Sequence, residues 1–239
     1  MKKIFNGDCL DLLERRQAFD CIIADPPDNL GLDYASYKDK LPSVAYYDFI
    51  YRRLKLMVEC APIVWLSYYW KHDLEIKYMV RNLLKFEKPT FEAKTFIWRF
   101  TFGQHNEFDA GSGFRFILRL RSALRDWSPP SRVQSDRLRT GDPRANPGGK
   151  IPDDVWEVPR VTGNSEERRS HHPTQHPVEV YRLMLDGSRS PGLPVKVLDT
   201  FGGTGTLFRV PYDCAATLCE IDKGYCEKIA EEHKDAILI

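Results

Sequence analysis

Two short loops carry residues that can do chemistry together. One is Asp25-Pro26-Pro27-Asp28, which leaves the apolar run Cys21-Ile22-Ile23-Ala24. The other is Phe201-Gly202-Gly203-Thr204-Gly205-Thr206, which follows Val197-Leu198-Asp199. Each reads as a strand ending in a loop of small or rigid residues, the place where open α/β sheets hold their ligands. Glycines let the backbone approach a ligand where a Cβ would clash. Glu220 lies 21 residues after Asp199, at the end of the next apolar run. An acid at that position accepts ribose hydroxyls in dinucleotide-binding folds. No Gly-Lys-Ser/Thr follows the turn, so it is not a P-loop. A third element, His171-His172-Pro173-Thr174-Gln175-His176-Pro177, opens a helix. Free N–H groups there can hold a carboxylate; an ordinary capped helix start, with Thr174 or Gln175 as the cap, is the alternative. The three elements imply one cleft, in which the glycine turn holds a nucleotide-like cofactor and the Asp25 loop does the chemistry.

The elements that position these loops are legible in outline. Residues 2–8 read as a strand and Cys9–Arg16 as a helix. Phe19–Ala24 is an apolar strand that Pro26 and Pro27 must end, since proline cannot donate to a ladder. Tyr46–Glu59 has helical spacing, Ile63–Ser67 is a strand, Asp73–Leu84 a helix and Lys94–Phe100 a strand. From Gly103 to about Ser170, repeated Gly and Pro break the pattern, with one apolar piece surviving at Phe114–Leu120. Order returns with a helix at Pro177–Leu185 and a strand at Lys196–Asp199. A helix begins near Gly205, a strand covers Ala215–Glu220, and a helix covers Gly224–Glu232. Cys9 is expected in the core, and Asp222 as a helix cap.

Composition bounds the class. The chain has 239 residues, 42% apolar and 29% charged, within the range of soluble globular proteins. No apolar run approaches the ~20 residues of a membrane span, and the charged start lacks the apolar core of a signal peptide. The six cysteines show no Cys-x-x-Cys pair and no zinc-ligand spacing, so reduced thiols in the cytoplasm and no metal site are expected. Net charge is only +1. Yet twelve arginines crowd residues 99 to 169, against acidic neighbours including Asp109, Asp126, Asp136, Asp142, Asp153, Asp154 and Glu157. Arginine in loops contacts phosphate oxygens and guanine edges; a salt-bridged surface is the alternative.

Three of these elements, Asp25-Pro26-Pro27, His172-Pro173-Thr174-Gln175 and Asp199 to Thr206, resemble the signatures of amino-group DNA methyltransferases. Asn6-Gly7-Asp8-Cys9 and Asp153–Arg160 are similar to further elements of that family. The order, catalytic motif before cofactor motif, is that of its permuted β group. The resemblance spans nearly the whole chain. It implies a Rossmann-like class I methyltransferase domain, with a seven-stranded, mostly parallel sheet and helices on both faces. The expected activity is methyl transfer from S-adenosylmethionine to adenine N6 in double-stranded DNA, within a restriction-modification setting and in a bacterial or phage-infected cytoplasm. A homodimer on a two-fold site is compatible with it. The irregular stretch at about 103–170 becomes the candidate target-recognition region.

The resemblance also assigns roles. Asp25 and the Pro26 carbonyl would accept the two hydrogens of the exocyclic amine, with Pro27 and Asp28 completing the motif. Asp8, Cys9, His172, Thr174, Gln175, Asp199, Phe201, Gly203, Gly205, Thr206 and Glu220 would surround the cofactor. The target base must be flipped out of the duplex. Three positions depart from the family. Asp28 stands where an aromatic ring usually stacks on the flipped base, so Tyr34 or Tyr37, or else Trp65 or Tyr68, are candidates to supply one. His176 replaces a lysine, which removes an expected charge near the cofactor carboxylate, and Thr200 replaces a proline. An aspartate as first motif residue favours adenine N6. Cytosine N4, RNA or a modified base, and a DNA-binding homologue without catalysis, are the alternatives.

Overall fold

The apolar runs condense into one sheet. A computed structural model describes residues 1–104, 110–169, 172–191 and 196–239, with residues 101–104 by backbone alone. His171 and Asp109, both named above, lie outside the described residues, as does Ser170. Among the described residues the strands are β1 (Lys2–Asn6), β2 (Cys21–Ala24), β3 (Ile63–Tyr68), β4 (Phe91–Gln104), β5 (Ser112–Ser122), β6 (Val155–Glu157), β7 (Lys196–Asp199), β8 (Ala215–Glu220) and β9 (Ala236–Leu238). Their order is β6-β4-β5-β3-β2-β7-β8-β1-β9. Every pairing is parallel except those of β5 with β3 and β4. Among the described residues the sheet therefore has nine strands rather than seven. The extra two, β6 and β9, are three-residue strands at the two edges, too short to show a period in the sequence.

Alternate residues of the central strands feed two cores, as the pleat requires. Cys21, Ile23, Ile63 and Trp65 face one core, completed by helices α5 (Val178–Asp186), α6 (Thr206–Arg209) and α7 (Lys223–Glu232). Ile22, Ala24, Val64 and Leu66 face the other, completed by α1 (Cys9–Glu14), α2 (Ser43–Cys60) and α3 (Asp73–Asn82). A short α4 (Asp136–Arg139) lies in the region after β5. Strands covered on both faces read as unbroken apolar runs, which is why β2 and β3 are buried at every position.

Several boundaries move for local reasons. α1 stops at Glu14, and Arg16 adopts a left-handed φ of +55°. α3 passes into a π-helical turn at Leu83–Glu87. α6 has only four residues, because Pro211 cannot continue it. Asp222 caps α7 by accepting Tyr225 N at 2.8 Å. The largest correction concerns the expected irregular stretch. β4 runs on to Gln104, and β5 occupies residues 112–122 in the middle of the sheet.

Strand order reverses between β2 and β7. From β2 the chain passes through α2 to β3 on one side; from β7 it passes through α6 to β8 on the other. Open α/β sheets bind ligands outside the carboxyl ends of the strands at such a switch point. Among the described residues no helix is long and apolar enough to cross a membrane. All six cysteines are free thiols.

Candidate active site

The switch point places the two loops side by side. Ile23 is in register with Asp199, and the Ile23 carbonyl accepts both Thr200 N (3.0 Å) and Thr200 Oγ1 (3.2 Å). Between the loops opens a pocket with about 1090 Å³ of empty space, part of it open to solvent. Its wall includes Asp25, Pro26, Pro27, Asp28, Tyr34, Tyr37, Asp8, Cys9, His172, Thr174, Gln175, Phe201, Gly203, Thr206 and Glu220. Asp199 and Gly205, from the same sequence motif, stand behind the wall rather than on it.

The glycine turn is braced from both sides. Glu220 accepts Gly203 N and Asp222 N, each at 2.8 Å, one on each carboxylate oxygen. Burial raises its pKa. Gly203 has φ +50°, and a Cβ there would lie 3.2 Å from His172 Nε2, so glycine suits both the turn and its close approach to the histidine element. Behind the turn, Asp199 is fully buried and accepts Tyr181 Oη–H (3.0 Å) and Phe201 N (3.1 Å). Desolvation pushes its carboxyl up to about 8, more than those two hydrogen bonds pull it back.

At the other end of this half, Asp8 caps α1 through Leu10 N (2.9 Å) and pairs with Arg53 Nη2 at 2.6 Å. The Arg53 guanidinium lies 3.7 Å from the Phe49 ring centre, and Phe49 packs on Phe201. Cys9 is buried, as expected, and burial pushes its thiol up to about 12. The Tyr37 hydroxyl and Arg53 Nε are buried without a hydrogen-bond partner among the described residues. Ser36 donates to Asp222, and the Tyr34 ring sits 5.4 Å from His172.

The chemical half is an ionic network. Arg115 donates from Nη2 to Asp25 Oδ1 (2.9 Å) and Asp28 Oδ1 (2.9 Å), from Nη1 to Asp28 Oδ2 (2.5 Å), and from Nε to Ser67 Oγ (2.6 Å). His176 Nδ1 donates to Asp25 Oδ2 at 2.8 Å, and its Nε2 meets Ser67 Oγ at 2.9 Å. Tyr69 N donates to Asp28 Oδ1 at 3.1 Å. Burial alone would raise Asp25. The adjacent His176 and Arg115 outweigh it and hold the carboxyl well below the usual range. Burial would likewise lower Arg115, but Asp28 and Asp25 raise it. Asp25 is thus a permanent carboxylate: a hydrogen-bond acceptor and charge partner with little appetite for a proton.

Several expectations are corrected here. His176, which stands where the resemblance expects a lysine, is bonded to Asp25 through Nδ1. Trp65 and Tyr68 are fully buried, so neither can stack on a base. Neither Thr174 nor Gln175 caps α5, whose first amide, Val178 N, is taken by Glu167 Oε2 at 2.9 Å. The helix start therefore already holds a carboxylate from the chain itself. Gln175 bonds the Glu167 carbonyl through Nε2 (2.7 Å) and accepts Arg169 N (2.9 Å).

Arg115, Ser67, Arg53 and Phe49 join the site although no sequence motif marks them. Arg115 is invisible without the sheet order. Antiparallel pairing of β5 with β3 sets Phe116 against Tyr68, which carries Arg115 past the carboxyl end of β3. Arg53 and Phe49 are ordinary helix positions until α2 packs beside α1. Of the twelve arginines, Arg99, Arg115, Arg121, Arg139, Arg144 and Arg169 are in ion pairs.

The chain is similar to known proteins. A family model described as DNA methylase matches residues 19–232. The type II methyltransferase M.ScaI of Streptomyces caespitosus is 24% identical over 225 residues, covering 85% of this chain and 71% of that protein. The DNA adenine methyltransferase YhdJ of Escherichia coli K12 is 25% identical over 223 residues, covering 86% and 72%. The crystal structure of the M1.HpyAVI–SAM complex superposes with a TM-score of 0.60 at 16% identity, covering 97% of this chain and all of that one. At that identity the likeness is one of fold.

Proposed function

The chain belongs to the DNA methylase family of the N6-adenine/N4-cytosine type, and on that premise we propose that it methylates adenine N6 in double-stranded DNA with S-adenosylmethionine as donor. The observation that carries this is the meeting of Asp25 and the glycine turn in one pocket at the strand-order switch. The adenine reading is supported by the aspartate that opens the motif and by the name of the YhdJ relative.

The pocket suits the cofactor chemically. It offers the acids Glu220 and Asp8 to hydroxyl and amine donors, and the unpartnered Tyr37 hydroxyl. Asp8, Cys9, Phe201, Gly203 and Glu220 would hold the nucleoside end, and His172, Thr174, Gln175 and Thr206 the amino-acid end. Asp199 and Gly205 would shape the turn from behind. When bound, S-adenosylmethionine supplies an electrophilic sulfonium methyl.

The chain's own residues prepare the amine. An exocyclic nitrogen is a poor nucleophile because its lone pair is delocalised into the ring. The Pro27 carbonyl is occupied by Tyr46 Oη–H at 3.0 Å, so Asp25 and the Pro26 carbonyl are the acceptors proposed for the two amine hydrogens. Bonding both draws the nitrogen toward tetrahedral geometry and localises its lone pair. The fixed negative charge of Asp25 then stabilises the positive charge that develops there. Because Arg115 and His176 depress its basicity, the proton released at the end passes to solvent rather than staying on Asp25.

Target recognition is proposed for the described residues between β5 and α5, the remainder of the stretch at about 103–170. Exposed Arg125 and Arg137 have no ion pair among the described residues, and Arg160 lies over the Phe100 ring. Two copies on a two-fold site would sediment as a dimer with a palindromic duplex.

The test is transfer of tritiated methyl to bacterial genomic DNA, followed by mass spectrometry of the digested nucleosides. N6-methyladenine is expected, and Asp25→Ala should abolish it. N4-methylcytosine would overturn the base assignment. No transfer at all, or an unaffected Asp25→Ala variant, would overturn the function.

A further inference from the structure

A base lifted out of a duplex loses its stacking neighbours, and proteins that capture such bases give them a flat surface in return. None of the four candidate rings fits that task well. Trp65 and Tyr68 are sealed in the core. Tyr34 packs beside His172, and Tyr37 beside Phe49, both within the cofactor half. Asp28 has no ring. Two flat groups stand beside Asp25 in the pocket wall, the His176 imidazole and the Arg115 guanidinium; the His176 ring is buried and packs against Trp98, which leaves the guanidinium as the candidate.

We propose that the guanidinium plane of Arg115 is the stacking platform for the flipped target base, and that Asp28 is there to hold that plane in place. The inference rests on the methyltransferase reading above and adds to it the residue that receives the base. Four of the five N–H groups of Arg115 are used at the edge of the plane: on Ser67 Oγ, on both oxygens of Asp28 and on Asp25 Oδ1. A guanidinium with most of its edge engaged has its faces left to offer, and guanidinium planes stack on nucleobases. The fork–fork pairing with Asp28 fixes the plane's orientation, as a lone lysine could not. Asp28 is itself held by Tyr69 N, and its carbonyl accepts His72 Nε2 at 2.7 Å. Among the described residues, the guanidinium-over-ring contacts belong to Arg15, Arg53, Arg119, Arg121 and Arg160, and none to Arg115. Its side chain keeps 13% exposure at the pocket.

The proposal also accounts for the charge balance. A bare cation beside Asp25 would neutralise the carboxylate needed for the amine. Asp28 shares the Arg115 charge with Asp25, so the guanidinium is not committed to Asp25 alone.

The experiment pairs Arg115→Lys with removal of the target base. Long-read sequencing of DNA from cells expressing the wild-type protein identifies the recognition sequence. Two duplexes are then made, one with the target base mismatched and one abasic at that position. Binding of wild type and Arg115→Lys is measured on both, with S-adenosylhomocysteine present. Lysine keeps the positive charge beside Asp25 and Asp28 but has no plane. The platform reading expects the variant to lose about 5- to 150-fold in affinity for the base-containing duplex, the span that stacking one base commonly carries. It expects little loss on the abasic duplex. Equal losses on both duplexes, or none on either, would overturn it in favour of a purely structural Arg115. A second measurement is the double variant Asp28→Tyr with Arg115→Met, which removes the cation and restores a ring. It should regain methylation relative to Arg115→Met alone, with cofactor binding by calorimetry confirming that both fold. No gain in the folded double variant would count against the platform. Wild-type protein that methylates no DNA would instead remove the methyltransferase reading, and this inference with it.

Discussion

Replacing Asp199 with asparagine should stabilise the protein at alkaline pH and leave it nearly unchanged at acid pH. Asp199 is fully buried, and its carboxyl is raised from 3.8 to about 8 by desolvation. A group whose folded pKa lies above its unfolded value binds more protons in the native state. Its contribution is complete below the unfolded pKa and is lost as pH rises through the folded one. Each pH unit in that window removes ~1.4 kcal/mol. Between pH 5 and pH 8 the wild type should therefore lose ~4 kcal/mol through this one residue, against a total domain stability of about 5–15 kcal/mol. Asparagine is always neutral and can still accept Phe201 N, so Asp199→Asn should gain that amount relative to wild type over the same interval. Urea unfolding of both proteins at pH 5, 6.5 and 8, without cofactor, measures the difference directly; comparing the pair cancels the opposing titration of Asp25 and the other carboxylates. A difference that does not change with pH would refute the buried-neutral picture of Asp199. Because Asp199 stands behind the pocket wall, cofactor affinity should shift by less than about fivefold, under ~1 kcal/mol.

Three further outcomes follow from the same geometry. His176→Ala removes one of the two groups that hold Asp25 low, so the acid limb of kcat/KM should move upward into the measurable range in the variant, while the wild type stays flat to lower pH; identical profiles would show that His176 does not act on Asp25. Tyr37→Phe removes a buried hydroxyl that lacks a partner. The apoprotein should unfold at the same urea concentration or higher, whereas calorimetry with S-adenosylmethionine should show weaker binding, by roughly 1 kcal/mol for one lost hydrogen bond. Changing Arg125, Arg137 and Arg160 together to Ala should weaken DNA binding on all sequences alike and reduce the slope of log K against log salt by up to ~3, about one per phosphate contact; an unchanged slope would move the DNA interface elsewhere.

What was legible in the sequence tracks how local each signal is. β2, β3, β7 and β8 could be read because strands buried on both faces are continuous apolar runs, and Asp222 because a cap acts three residues away. The Asp25 loop and the glycine turn were legible as strand ends, but their contact was an expectation until the β2–β7 register joined them. β5 was lost in a stretch whose glycines and prolines describe only its flanks. With it went Arg115, whose partners Asp25, Ser67 and Asp28 lie 90, 48 and 87 residues away.

Departures from a family pattern were the least readable of all, because each is compensated by residues the pattern does not mention. Taken alone, Asp28 looks like the loss of a ring and His176 like the loss of a cation. In the folded chain both losses are parts of one device: Asp28 fixes Arg115, Arg115 and His176 share Asp25 between them, and Ser67 ties the two together. An isolated Asp28→Tyr exchange toward the family pattern would therefore not restore an ordinary site. It would leave Arg115 with one anion instead of two, directly beside the carboxylate that must accept the amine. The single exchange should lower methylation, and the paired exchange with Arg115→Met should recover it. That order of activities is expected if Asp28 acts through Arg115.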